Sequence, residues 1–119
     1  MRHVLIAAAI LAASPASADV RNAWPYVRSQ CLPTEIRNAL SAISAHFKRD
    51  VLIVSAHRAS ARGSMHAACR AADIRVPGAD KMAVRAFAAT LPGIRGVGTY
   101  PRKDLIHIDN RSIPFAWRR

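Results

Sequence analysis

The chain is organised around one short stretch that carries a histidine and, seven residues later, a carboxylate. It reads Ser64-Met65-His66-Ala67-Ala68-Cys69-Arg70-Ala71-Ala72-Asp73. The carboxylate opens an alternating polar and apolar run, Asp73-Ile74-Arg75-Val76, and this alternation predicts a strand. A second run near the C-terminus predicts another strand in the same way, Asp104-Leu105-Ile106-His107-Ile108-Asp109.

The polar residues of these two strands fall on one face. Successive side chains of a strand point to opposite sides, so the aliphatic residues of each run share one face and the polar residues share the other. If both strands lie in one sheet, Asp73, His107 and Asp109 emerge together on the side away from the core. The alternation thus predicts a polar site on one face of the sheet.

His66 cannot join this group along a regular element. Seven residues of helix rise about 10 Å and seven of strand about 23 Å, whereas the ligand atoms of one zinc ion each lie about 2 Å from it. The segment between His66 and Asp73 must therefore fold back as a loop. His66, Asp73 and His107 would then form a three-ligand zinc site with a position open to water, which zinc activates for hydrolysis. The alternative is a set of unrelated surface polar groups.

The remaining pattern predicts an α+β fold. Pro33-Thr34-Glu35 is typical of a helix start, and apolar residues then recur at helical spacing through Phe47. Asp80 is a candidate cap for a second helix that ends near residue 91. Strands are predicted at 51–55, 71–76, 96–100, 105–109 and 113–117. This order favours an antiparallel sheet with two helices on one face.

The N-terminus has the features of an export signal. A short basic lead precedes an apolar run over residues 4–13, and Ala16-Ser17-Ala18 matches a small-x-small cleavage site. We expect residues 1–18 to be a signal peptide and 19–119 the mature domain, periplasmic or secreted and without stable membrane insertion after cleavage. The alternative is an N-terminal core helix.

Two cysteines remain in the predicted mature chain, Cys31 and Cys69. Because an exported protein lies where disulfides persist, we expect a bridge between them. It would stabilise the fold by roughly 3–4 kcal/mol in the chain-entropy model. The alternatives are two buried free thiols or metal ligation, and no CxxC spacing supports the latter.

The formal charge of +11 favours anionic partners. The basic residues are scattered, however, and neither a block of like charge nor an aromatic-interleaved RNA motif occurs. We therefore expect a monomer with a solvated basic face beside an anionic cell envelope, and we do not expect a nucleic-acid partner.

The motifs resemble those of a known enzyme family. Ser64, His66, Ala71 and Asp73 match SxHxxGxAxD, and His107-Ile108-Asp109 matches a terminal HxD. This pattern resembles the M15, D-Ala-D-Ala carboxypeptidase-like, metallopeptidases, in particular their small peptidoglycan-hydrolase branch. The run from Gly98 to Arg102 resembles the glycine-rich strand and YPR turn of that branch, and the resemblance covers residues 51–117.

The resemblance implies a Hedgehog/DD-peptidase-like fold and one zinc ion held by His66, Asp73 and His107. Ser55-Ala56-His57-Arg58 resembles an SGYR segment, so Arg58 would bind substrate or a developing oxyanion, although a structural ion pair is the alternative. His57, which stands where the family has tyrosine, and Ser64 are further candidates for substrate binding.

Two positions leave questions open. Cys69 replaces the glycine of the first motif, and a bridge to Cys31 would hold the turn that glycine permits. The general base is either Asp104, three residues before the last histidine as in other M15 branches, or Asp109. Asp109 could instead orient His107.

Together these features predict an exported zinc metallopeptidase that hydrolyses peptide bonds of peptidoglycan stem peptides or cross-links, as carboxypeptidase or endopeptidase. The alternative is a non-catalytic, zinc-containing module that binds the cell envelope.

Overall fold

The computed structural model describes residues 18–118. The predicted signal peptide lies, apart from Ala18, outside the described residues. The described chain contains two helices and six strands: β1 (Val20–Asn22), α1 (Thr34–Phe47), β2 (Val51–Ser55), β3 (Ala71–Arg75), α2 (Lys81–Ala88), β4 (Gly96–Tyr100), β5 (Lys103–Asp109) and β6 (Phe115–Arg118). The predicted α+β class is confirmed.

The strands form one mixed sheet in the order β1-β2-β3-β5-β4-β6. The four inner strands pair antiparallel, as predicted, whereas both edge pairs, β1 with β2 and β4 with β6, run parallel. The sequence predicted only an extended lead-in where β1 lies. The chain passes from β1 through α1 to β2, and a helical crossover is the usual connection between parallel neighbours.

Each helix begins and ends where its local sequence provides a signal. Pro33 is extended just before α1, and Lys48 adopts a left-handed conformation just after it. The Asp80 carboxylate accepts the backbone N–H of Ala83 at 2.8 Å and caps α2. α2 ends at Ala88, before the predicted residue 91, because the backbone N–H groups of Thr90 and Leu91 donate three residues back instead of four.

The helices and the sheet enclose the core between them. Both helices pack on the same face of the sheet, as the alternation predicted. The buried aliphatic side chains there include Ile36, Leu40 and Ile43 of α1, Val84 of α2, and Ile74, Ile106 and Ile108 of the central strands. Each such side chain contributes about 1.5–3 kcal/mol by leaving water. The opposite face of β3 and β5 is therefore left for polar groups.

Two further features concern the chain as a whole. Cys31 and Cys69 form a disulfide that links the segment before α1 to the segment before β3. Within residues 18–118, no helix has both the length and the apolar character needed to cross a membrane.

Candidate metal centre

His66, Asp73 and His107 lie together on the polar face of the sheet. All three side chains are buried, and one potential ligand atom from each lies within 4.8 Å of the other two. Asp73 and His107 are directly opposite each other on the neighbouring strands β3 and β5. The predicted alternation places Asp73 and His107 on the same face, as expected, and His66 joins these candidate ligands from the loop between β2 and β3.

The loop that carries His66 is a succession of turns. The backbone N–H of Ser64 donates to Ala61 O at 3.0 Å, and that of Ala67 donates to Ser64 O at 3.1 Å. The Ser64 hydroxyl accepts the backbone N–H of His66 at 3.1 Å. These bonds fold the chain back on itself, which is what the distance between His66 and Asp73 requires.

The last of these turns has the hydrogen bonds of a Schellman motif. The N–H of Arg70 donates to Met65 O at 2.9 Å, and the N–H of Cys69 donates to His66 O at 3.2 Å. Cys69 has a φ of 54°, a left-handed conformation that glycine normally supplies at this position of the motif. A side chain there costs about 1 kcal/mol. The disulfide to Cys31 holds the strained residue in place.

Hydrogen bonds select which nitrogen of each histidine is available to a metal. His66 Nδ1 lies 2.7 Å from the carbonyl oxygen of Ala56, which can only accept, so this nitrogen carries the proton and Nε2 is left free. His107 Nε2 lies 2.7 Å from Asp109 Oδ2 and donates to it, which leaves Nδ1 free, 3.1 Å from Asp73 Oδ1. The two histidines thus present different ring nitrogens to the same point.

One nitrogen of this group supports metal binding directly. Among the described residues, His66 Nε2 is buried without a hydrogen-bond partner, although it lies 3.2 Å from Asp73 Oδ2. A buried polar atom without a partner is costly unless something binds it. Two imidazole nitrogens and one carboxylate are the donor set of catalytic zinc sites, which keep a fourth position open. The residues present therefore fit a zinc ion.

The surroundings of Asp73 also favour its ionised form, which is the form that binds a metal. Burial alone raises the pKa of Asp73, but the neighbouring His107 and His66 rings lower it further than burial raises it, so the pKa lies well below its ordinary value. For His107, burial lowers the pKa, yet the carboxylates of Asp109 and Asp73 outweigh it and raise the pKa. Asp73 is therefore ionised, as a metal ligand must be.

Asp109 has the contacts of an orienting carboxylate. It is fully buried, it accepts His107 Nε2–H, and it also accepts the backbone N–H and the guanidinium of Arg111 at 3.0 and 2.9 Å. A Cβ on Gly96 would lie 2.2 Å from its Oδ1, so the glycine makes room for the carboxylate. Of the two roles predicted for Asp109, this geometry corresponds to orienting His107.

Asp104 lies apart from the three ligands. It is exposed near the start of β5 and does not line the cleft beside them. Tyr100 pairs with Lys103 and Thr99 with Ile106, so Asp104 sits in an irregularity where two residues of β5 lack opposite partners. Simple alternation therefore does not determine where its carboxylate points.

Two of the three candidate ligands, His66 and His107, line a cleft of about 600 Å³. Of the predicted substrate-binding residues, Arg58 and Ser64 line it, whereas His57 is half-buried and its backbone N–H donates to Arg28 O at 3.0 Å. The lining consists of Arg58, Arg62, Gly63, Ser64, Met65, His66, Tyr100, His107, Arg111, Phe115, Trp117 and Arg118.

Trp117 is a site residue that the sequence did not predict. Its ring centroid lies 5.3 Å from that of His107, and its β6 backbone pairs with Gly98. A Cβ on Gly98 would lie 2.1 Å from the indole, so only glycine leaves space for the ring. The sequence signal was the glycine-rich strand, which predicted a close approach without naming the residue that approaches.

The fold and the donor set define an α+β domain with a candidate three-residue metal site beside an open cleft. The chain belongs to the Peptidase M15 family, which it matches over residues 16–109. The predicted family is therefore confirmed, and membership supports a peptidase function in a family that is generally zinc-dependent. No match was found among curated proteins or among solved structures.

Proposed function

We propose that this chain is an exported zinc peptidase that hydrolyses peptide bonds in the stem peptides or cross-links of peptidoglycan. One observation carries the proposal: His66, Asp73 and His107 bring three buried ligand atoms to within 4.8 Å of one another at the wall of an open cleft. Membership of the Peptidase M15 family supports the same chemistry.

Each residue of the site has a role in this proposal. His66 Nε2, Asp73 and His107 Nδ1 hold the zinc ion, and Ala56 and Asp109 keep the two rings in the required tautomers. A zinc ion at such a site lowers the pKa of water and polarises a peptide carbonyl. Arg58 lines the cleft, where its guanidinium binds a substrate carboxylate or a developing oxyanion.

Asp104 remains the candidate for proton transfer by elimination among the predicted acids, although it does not line the cleft beside the three candidate ligands. The Asp109 carboxylate is occupied by His107 and Arg111, so it is not available to a substrate proton. Asp104 is exposed on the strand that carries His107, three residues before it. We expect Asp104→Asn to lower kcat with unchanged zinc content, whereas a loss of zinc would contradict the assignment.

Export is supported by two features. The predicted signal peptide directs the chain out of the cytoplasm, and the Cys31–Cys69 disulfide is a bond that persists in oxidising compartments. The positive charge of the chain suits the anionic polymer that we propose as its substrate.

The test is incubation of zinc-loaded protein with purified muropeptides, followed by chromatography and mass spectrometry of the products. We expect new peptide termini, lost after chelation and in His66→Ala. Asp50→Asn changes a half-buried aspartate just before β2, near the β1 edge of the sheet, and is the matched control. Absence of products at every zinc concentration would overturn the peptidase proposal.

A second candidate is a non-catalytic zinc module that binds the envelope. The observation in its favour is that the cleft lining contains no aspartate or glutamate to handle a proton. This candidate predicts zinc-dependent sedimentation with isolated cell-wall sacculi and no new peptide termini. Hydrolysis by the wild-type protein would exclude it.

A further inference from the structure

The two walls of the cleft differ in chemistry. One wall is the loop between β2 and β3, which contributes Arg58 and Arg62, both exposed. Within residues 18–118, neither arginine forms an ion pair with a carboxylate. The other wall is strand β6, which contributes the aromatic side chains of Phe115 and Trp117. His107 lies between these walls.

The arginine wall is tied to the metal centre through its backbone. The N–H of Arg58 donates to His66 O at 3.1 Å, and the N–H of Ala61 donates to Arg58 O at 3.1 Å. The loop therefore holds Arg58 and, four residues on, Arg62 beside the histidine that it carries. A substrate bond at the metal would place one of its flanks within reach of these guanidinium groups.

The aromatic wall is fixed as well. Trp117 rests on Gly98, where any side chain would collide with it, and its ring meets Tyr100 with centroids 4.9 Å apart. The Arg111 guanidinium on this side is engaged by Asp109 and lies over the Phe115 ring. Its charge is offset there. Arg118, which follows Trp117 on β6, also lines the cleft, so the apolar surface of this wall is that of the Phe115 and Trp117 rings.

We propose that the cleft selects peptides with a carboxylate on one side of the scissile bond and an apolar side chain on the other. Arg58 and Arg62 bind the carboxylate, because among the described residues that line the cleft none is an aspartate or glutamate that would compete for them. Trp117 packs on the apolar group. The inference rests on the proposed peptidase function, and it assigns substrate selection partly to residues 110–118, which lie beyond the family match.

The test uses short peptides with a non-cleavable reduced bond, so that binding is measured apart from turnover. A set of four peptides combines a carboxylate or a carboxamide on one flank with leucine or glycine on the other, and one such set is made for each chain direction. Calorimetry on the zinc-loaded full chain gives Kd for wild type, Arg62→Gln and Trp117→Ala. Arg21→Gln, which removes the same charge at the opposite sheet edge, is the control.

We expect amidation to weaken binding about fivefold in wild type and in Arg21→Gln, and to have a smaller effect in Arg62→Gln, where Arg58 remains. Replacement of leucine by glycine should weaken binding about tenfold in wild type and much less in Trp117→Ala. Trp117→Leu keeps a smaller apolar wall and should give an intermediate preference if Trp117→Ala does not fold. Zinc content, measured alongside, should be unchanged in every variant.

Equal binding of all four peptides, no measurable binding of any, or preferences that the variants leave intact would each overturn this inference. Cleavable versions of the four peptides test the proposed function separately. Selective binding without any hydrolysis would contradict the peptidase function and uphold the selectivity, whereas hydrolysis without selectivity would do the reverse.

Discussion

The two histidines of the metal centre reach it from regions of very different construction. His107 lies in β5, where pairing with β3 on one side and β4 on the other fixes its position through two hydrogen-bonded ladders. His66 lies in a loop of consecutive turns that is joined to the rest of the chain by the Cys31–Cys69 disulfide. One candidate ligand is thus positioned by the sheet, and the other by local turns and a covalent bond.

This difference teaches which changes act on the metal directly and which act through folding. Around His107, Asp73 and Asp109 are bonded to the ring itself, so their replacement should change metal affinity first. Around His66, Cys69 and Gly63 shape the backbone, so their replacement should change the free energy of unfolding first. Four predictions test this division, from the largest expected effect to the smallest.

Loss of the Asp73 carboxylate should have the largest effect, and that effect is on zinc affinity. Asp73→Ala removes one of three ligands and leaves two buried histidines without their shared partner. We expect zinc affinity to fall by at least about 1000-fold, roughly 4 kcal/mol. Metal analysis of the purified protein by mass spectrometry measures this. Asp50→Ala is the control, and an Asp73→Ala protein that retained one zinc ion per chain would contradict the ligand assignment.

Loss of the disulfide should have the next largest effect and act on stability. Cys31→Ser with Cys69→Ser should lower the free energy of unfolding by roughly 3–4 kcal/mol, since the bond closes a long loop. Cys31→Ser with Cys69→Gly should lose only about 2–3 kcal/mol, because glycine removes the strain of the left-handed conformation. Urea unfolding of both variants gives the two values.

The glycine variant is the informative member of this pair. If it is no more stable than the serine variant, Cys69 is not strained, and the explanation offered for its replacement of the motif glycine is wrong.

The same division explains what the sequence could and could not predict. Alternation in residues 73–76 and 104–109 predicted the shared face of Asp73 and His107, because a strand has only two faces and burial selects one. The pairing of β3 with β5 was not predicted. Distance alone predicted that His66 lies in a folded-back loop. The Schellman turn was not predictable, since its usual marker is glycine and Cys69 stands there.

Other features depend on contacts that no local pattern encodes. β1 and β6 pair in parallel at the two edges of the sheet, and this pairing depends on tertiary contacts. β1 has only three residues, too few for a recognisable strand pattern. The hydrogen bond from His66 to the Ala56 carbonyl and the packing of Trp117 against Gly98 are tertiary contacts. The sequence left the role of Asp109 open. An orienting carboxylate is buried and an available base is exposed, and only the structure shows that Asp109 is buried and bonded to Arg111.

The orienting role of Asp109 gives the third prediction. Asp109→Asn removes the charged acceptor of His107 Nε2–H, so the ring no longer strongly favours the tautomer that presents Nδ1. We expect zinc affinity to fall about 10–100-fold, the usual cost of losing such a partner. Competition with a chromophoric chelator measures the affinity. Asp104→Asn should leave it unchanged, and an equal loss in both variants would show that general charge, not orientation, is responsible.

The smallest effect is expected in the loop, at Gly63. Its φ of 76° favours glycine, but a Cβ there would meet no atom within 4 Å. Gly63→Ala should therefore lower the free energy of unfolding by about 1 kcal/mol through backbone strain alone. Gly63→Asn should cost less, because asparagine tolerates this conformation. Urea unfolding measures the stability, and zinc titration measures the affinity. A lower stability with unchanged zinc affinity is expected only if the loop acts on the metal through folding.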